Sequence, residues 1–99
     1  MANEYRDMVQ SLNSVFESSQ ASLVQFRAAD ASPAAIAAGK DAIDKYFVYK
    51  EKLNAIRDGN LLQVIIDDKD EAAIGTERNV TMINHYLKAY DPTYVPRTV

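Results

Sequence analysis

Few residues in this chain could do chemistry: one histidine, in Asn84-His85-Tyr86, and one acidic run, Asp67-Asp68-Lys69-Asp70-Glu71. A metal-binding pair on a helix needs a second ligand a turn away, and His85 has no second His, no Cys and no carboxylate three or four residues before it. It reads as an ordinary polar-face histidine. The acidic run invites a calcium loop, which needs Gly at its sixth position and Glu at its twelfth. Counted from Asp67 those positions hold Ala72 and Arg78, so the run reads as a solvated helix start. Gly39, Gly59 and Gly75 are isolated, which excludes a glycine-rich phosphate loop. The absence of cysteine excludes disulfides, thiolate metal sites and thiol nucleophiles together. No catalytic residue, metal site or cofactor is expected, and the chain reads as a non-enzyme.

What remains is a surface, and composition bounds what it can meet. Eleven Lys and Arg against fourteen Asp and Glu give a net charge of -3, which argues against nucleic acid, because phosphates reward a basic face. The strongest apolar run, Leu61 to Ile66, is too short to span a bilayer, and the first residues carry no basic leader before an apolar stretch. Neither a membrane contact nor a signal segment is expected, and a cytoplasmic or virion-associated location fits best. Apolar residues make up 47% of 99 positions, enough for one small domain whose core is marginal when alone.

The elements that must position this surface are helical. Fourteen alanines favour helix, and the breakers Pro33, Gly59 and Pro92 cut the chain into three segments and a tail. The first segment has Asn3 as a candidate cap and an apolar stripe at Tyr5, Met8, Val9, Leu12, Val15, Phe16, Leu23, Val24 and Phe26, which predicts a helix to Arg27. Ser18, Ser19 and Gln20 interrupt that stripe and predict a close or wet contact. Ser32 and Pro33 predict the cap and first residue of a second helix, anchored by Ile36, Ile43, Tyr46, Phe47, Leu53 and Ile56 and ending at Asp58-Gly59. The short connection between them predicts an antiparallel hairpin.

From Asn60 to Tyr90, Leu62, Ile66, Lys69, Ala73, Thr76, Val80, Ile83, Leu87 and Tyr90 recur by threes and fours. They predict a third helix with a break near residues 67–71, although residues 61–66 alone read equally as a strand. After Pro92 the tail prefers extended backbone and must lie on the bundle through Tyr94 and Val95 or reach a neighbouring copy. The expected fold is all-α, a small three-helix bundle over residues 1–90 with an extended tail over 91–99. Its expected core is Val9, Leu12, Phe16, Leu23, Phe26, Ile36, Ile43, Phe47, Leu53, Ile56, Leu62, Ile66, Val80, Ile83 and Leu87.

Aromatics cluster as Tyr46-Phe47-Tyr49 and as Tyr86, Tyr90 and Tyr94. At about 100° per residue one hairpin seam cannot bury all of the first group, so some aromatic surface should remain. The second helix also holds the basic excess, Lys40, Lys45, Lys50, Lys52 and Arg57, interleaved with Asp41, Asp44 and Glu51, with Asp41 and Lys45 spaced as a helical ion pair. The opposite signs suggest that this helix meets an acidic segment of a neighbouring copy. The candidate interface residues are Tyr46, Tyr49, Lys45, Lys52, Tyr90, Tyr94 and Val95.

Residues 26–38, from Phe26 through the Ala-rich Pro33 turn, and the sequence Tyr46-Phe47-Val48-Tyr49-Lys50 resemble the turn and second helix of type III secretion needle subunits. Those are helical hairpins that polymerise into a tube. The likeness covers about a quarter of the chain, which continues well past Arg57 where needle subunits end, and no functional residue carries over. It implies a filament subunit. The residues themselves lead to a self-associating structural or assembly subunit, with protein as partner and homo-oligomerisation expected. A small inhibitor or adaptor of one larger protein, for instance a virus-encoded one, is the alternative.

Overall fold

A computed structural model describes residues 2–56 and 70–97, and side chains over 5–56 and 72–97. Within them lie three helices, α1 (Ala2–Arg27), α2 (Pro33–Ala55) and α3 (Asp70–Tyr90), packed pairwise as a small three-helix bundle. Phe26 meets Gly39, Ser19 meets Asn79 and Tyr46 meets Glu77, so α1 and α2 run antiparallel and α3 returns parallel to α1. Helix α2 stops at Ala55, short of the predicted end at Asp58-Gly59, because Ile56 takes an extended conformation as its C-cap and its N–H donates to Leu53 O at 3.2 Å. The turn near Gly59, the break near 67–71 and the core positions Leu62 and Ile66 lie outside the described residues.

Helix α1 begins at Ala2, one residue before the predicted cap. Its buried positions are Met8, Leu12, Val15, Ser19, Ser22, Leu23 and Phe26. Steps of four and three keep one seam facing the partners, as in coiled coils. Val24, placed in the stripe by sequence, is instead exposed, because that seam leaves it on the outer side. The helix ends in a Schellman motif: Ala29 takes the left-handed conformation at φ 60°, Asp30 N–H donates to Gln25 O at 3.0 Å and Ala29 N–H to Phe26 O at 3.0 Å. The Asp30 carboxylate then accepts from Ser32 N–H at 3.0 Å, and the Ser32 hydroxyl accepts from Ala35 N–H at 3.1 Å, capping α2 with Pro33 at its first turn as predicted.

On α2 the fully buried row is Ala35, Gly39, Ala42, Ile43, Tyr46 and Tyr49. The expected anchors Ile36, Phe47, Leu53 and Ile56 sit at its half-buried flanks. Small residues win the centre because they let the helix axes approach. A Cβ on Gly39 would stand 2.8 Å from Cζ of Phe26. Phe26 is the hub of that end of the bundle, with ring centroids 5.5 Å from Tyr86 and 5.6 Å from Tyr90, whose hydroxyl donates to Phe26 O at 3.2 Å. On α3 the buried residues are Thr76, Val80, Ile83, Asn84 and Leu87. Val9 and Phe16, expected inside, are half-buried at the edge of the seam.

Candidate interaction surface

A three-helix bundle has a groove between each pair of helices, and here two of them differ sharply. The groove between α2 and α3 is filled by the chain's own C-terminal arm, residues 91–97. A turn sets its course: Asp91 O accepts from Tyr94 N–H at 2.9 Å, and the Asp91 carboxylate accepts from Thr93 N–H at 3.1 Å and Thr93 Oγ1 at 2.6 Å. The Thr93 hydroxyl and amide, helped by Lys40, hold the Asp91 carboxyl below its usual range.

The arm is read chiefly by Asn84. Its Nδ2 donates to Arg97 O at 2.7 Å, and its Oδ1 accepts from Tyr94 Oη at 2.7 Å and from Arg97 N–H at 3.4 Å. A buried amide thus pairs with both polar groups of one extended residue, as a neighbouring strand would. The Arg97 guanidinium carbon lies 4.0 Å from the centroid of the Phe47 ring and its Nη1 donates to Asp44 Oδ1 at 2.9 Å. Lys40 Nζ stands 3.6 Å from Asp91 Oδ2 and 5.8 Å from the Tyr94 ring centroid. Tyr94 is therefore an anchor on the bundle, as one of the two expected courses of the tail requires. Val95 is not: it is 79% exposed, because alternate residues of an extended arm face opposite ways.

The aromatic surface expected on α2 is absorbed by the fold. Tyr46 and Tyr49 are 2% and 4% exposed, which corrects their assignment as interface residues. α3 reaches Tyr46 through Glu77, and the arm reaches the neighbouring Phe47 through Arg97. Tyr46 Oη donates to Glu77 Oε1 at 3.2 Å, and burial, then the Glu77 charge and this bond, push its pKa up. Burial also raises Tyr49. Phe47, set edge-on to Tyr46 at 5.3 Å, is closed off from outside by Arg97. Tyr90 packs on Phe26 and Tyr86 and is half-buried, so part of its ring stays at the surface.

The groove between α1 and α2 stays open. It is a shallow trough of about 380 Å³ lined by Ser11, Ser14 and Val15 of α1 and by Asp41, Asp44, Lys45, Val48 and Lys52 of α2. Of the predicted interface residues, Lys45 and Lys52 lie here. Lys45 pairs with Asp41 at 3.2 Å, the helical spacing read from sequence. Val48 is 49% exposed in the middle of the stripe. Sequence reasoning passed over Ser11, Ser14 and Val48. Val48 is legible as the complement of the buried row on α2: if Ala35, Gly39, Ala42, Tyr46 and Tyr49 face inward, then 41, 44, 45, 48, 51, 52 and 55 face out.

His85 is exposed on α3. The acidic run 67–71 falls outside the described side chains.

These features define an all-α, three-helix bundle with a docked C-terminal arm. Compared with known proteins, the chain matches no family model, no curated protein and no solved structure.

Proposed function

We propose that this chain is a non-enzymatic helical subunit that acts by protein–protein contact, most simply by associating with copies of itself. The observation that carries this reading is the open trough between α1 and α2. It has an apolar floor at Val15 and Val48 and a rim bearing both charge signs, Asp41 and Asp44 beside Lys45 and Lys52. A rim of one sign would suit a partner of the opposite sign, whereas a mixed rim is complementary to a copy of itself. Val48 gains by leaving water, and the charges fix register and partner choice more than they add affinity. A C2 arrangement uses one such patch twice, and heterologous contacts between different faces would grow open-ended as the needle resemblance implies.

Light scattering on a size-exclusion column tests the reading. Over a hundredfold range of concentration the molar mass should rise above the 11.0 kDa of one chain, less so at high salt where the rim charges are screened. A constant 11.0 kDa would overturn it and favour an adaptor that docks on a larger protein.

A further inference from the structure

Asn84 is only 8% exposed, and its amide is committed to the arm: Nδ2 donates to Arg97 O, while Oδ1 accepts from Tyr94 Oη and Arg97 N–H. A buried amide on the wall of a groove is costly unless a polar backbone lies against it, so the α2/α3 groove is built to hold an extended segment. It also reads side chains. The Tyr94 hydroxyl meets the same Asn84 oxygen, and the Arg97 guanidinium is taken by the Phe47 face and the Asp44 carboxylate. Val95 and Pro96 between them are exposed and unread, so the pattern recognised is Tyr-x-x-Arg.

The arm is held lightly for so specific a seat. Pro92, Thr93, Val95, Pro96 and Arg97 are all exposed, and the Arg97–Asp44 pair is 49% and 68% exposed, which leaves Tyr94 as the half-buried anchor. The reversal that folds the arm back is closed by local contacts: Tyr94 N–H to Asp91 O, Thr93 to the Asp91 carboxylate, and Lys88 Nζ to Pro92 O at 2.8 Å. Opened there, residues 91–97 reach about 23 Å at roughly 3.3 Å per residue, about twice a helix diameter.

We infer that the α2/α3 groove is a recognition site for an extended Tyr-x-x-Arg segment, closed at rest by the chain's own arm and filled in trans by the arm of a second copy, which receives the first copy's arm in return. A foreign segment must displace the arm and leave Tyr94 and Arg97 without seats. Reciprocal exchange restores every groove contact in both copies and gives up only the contacts of the turn, so concentration alone drives it. This groove is distinct from the trough, with Asp44 common to both, and the exchange stands apart from the trough contact proposed above.

A peptide of residues 91–97, acetylated and amidated, tests the site. It is titrated into the 15N-labelled full chain carrying Tyr94→Ala and Arg97→Ala, which removes the arm's two anchors and leaves the groove intact. The Asn84 side-chain amide resonances should shift and saturate. The native chain should need at least about tenfold more peptide, because its groove is competent only while the arm is lifted. A peptide with alanine in place of both the tyrosine and the arginine should bind neither. Circular dichroism checks that the variant keeps its helix content, and Arg97→Ala alone serves if it does not.

Exchange itself is read on the native chain. Equal amounts of 13C-labelled and unlabelled protein are refolded together from urea, and at concentrations where the mass approaches twice 11.0 kDa, isotope-filtered NOEs between the Phe47 ring and Arg97 should connect different copies. An unmoved Asn84 amide in the disarmed chain overturns the groove as a recognition site. Phe47–Arg97 contacts that stay within one copy while the mass rises overturn the exchange and leave self-association through the trough standing. A native chain that holds 11.0 kDa at every concentration overturns both.

Discussion

Gly39 of α2 and Phe26 of α1 are matched as a hole and a knob: a Cβ on Gly39 would lie 2.8 Å from Cζ and 2.9 Å from Cε2 of the Phe26 ring. The glycine is a cost to the helix, roughly 1 kcal/mol against alanine, that the packing of Phe26 offsets. Gly75 of α3 has no such role, since its Cβ would meet Phe16 at an ordinary 3.5 Å.

The two glycines therefore respond with opposite signs. Gly39→Ala should destabilise the fold by about 1–2 kcal/mol net, the cost of overpacking exceeding the gain in helix propensity. Gly75→Ala should stabilise it by up to about 1 kcal/mol, or several degrees in Tm for a domain of this size. Adding Phe26→Leu to Gly39→Ala should cost less than the two changes summed. Thermal and urea unfolding check all three, and a raised Tm for Gly39→Ala would exclude the close approach.

Two buried serines one turn apart on α1 differ in the same way. Ser19 Oγ accepts from Asn79 Nδ2 at 3.0 Å and donates to Phe16 O at 2.8 Å, whereas Ser22 Oγ is buried with no partner. Ser19→Ala should cost about 1–2 kcal/mol, because it strands the Asn79 amide in a partly buried contact. Ser22→Ala should be neutral or stabilising by up to about 1 kcal/mol, because it removes an unsatisfied hydroxyl. Equal losses at both sites would show that Ser22 has a hydrogen-bond partner in solution.

The arm depends on Asn84 more than on its ion pair. Asn84→Ala leaves Tyr94 Oη and both backbone groups of Arg97 without their partner, an expected cost of about 1–3 kcal/mol, and should speed tryptic cleavage after Arg97. Asp44→Ala breaks only the exposed Arg97 pair and should cost at most about 1 kcal/mol. A larger loss from Asp44→Ala would reverse this ranking.

Alkali should unfold the protein from a defined point. Tyr46, Tyr49 and Tyr94 all have pKa values raised above the ordinary 10.0, in each case first by burial. An unfolded tyrosine loses its proton near pH 10 while these keep theirs, so above that pH the unfolded state binds fewer protons. Stability is complete below pH 10 and falls as the pH rises past it. Tyr46→Phe should flatten the decline while lowering stability at neutral pH by about 1 kcal/mol through loss of the Glu77 bond. Urea midpoints between pH 8 and 11 measure both effects.

Local chemistry was legible in the sequence. The helices of residues 2–27 and 33–55, the Ser32-Pro33 start, the antiparallel hairpin and the Asp41–Lys45 pair follow from short-range spacing, since 3.6 residues per turn and a missing proline amide act within a few residues. Even the close polar contact at Ser19 was visible, as small polar residues in an apolar stripe. In the candidate surface, Lys45 and Lys52 were legible because charge is written in the residue type.

What only tertiary structure decided is how that surface is shared out. Tyr46 and Tyr49 have the composition of an interface but are buried within the bundle, and Val95 is turned outward by the alternation of an extended chain. Gly39 reads as a defect until Phe26, thirteen positions earlier, is seen against it. An amphipathic pattern specifies that a face is buried, not which neighbour buries it. That choice depends on how closely helix axes approach and how far round each helix its neighbours reach, quantities set by contacts between residues distant in the chain.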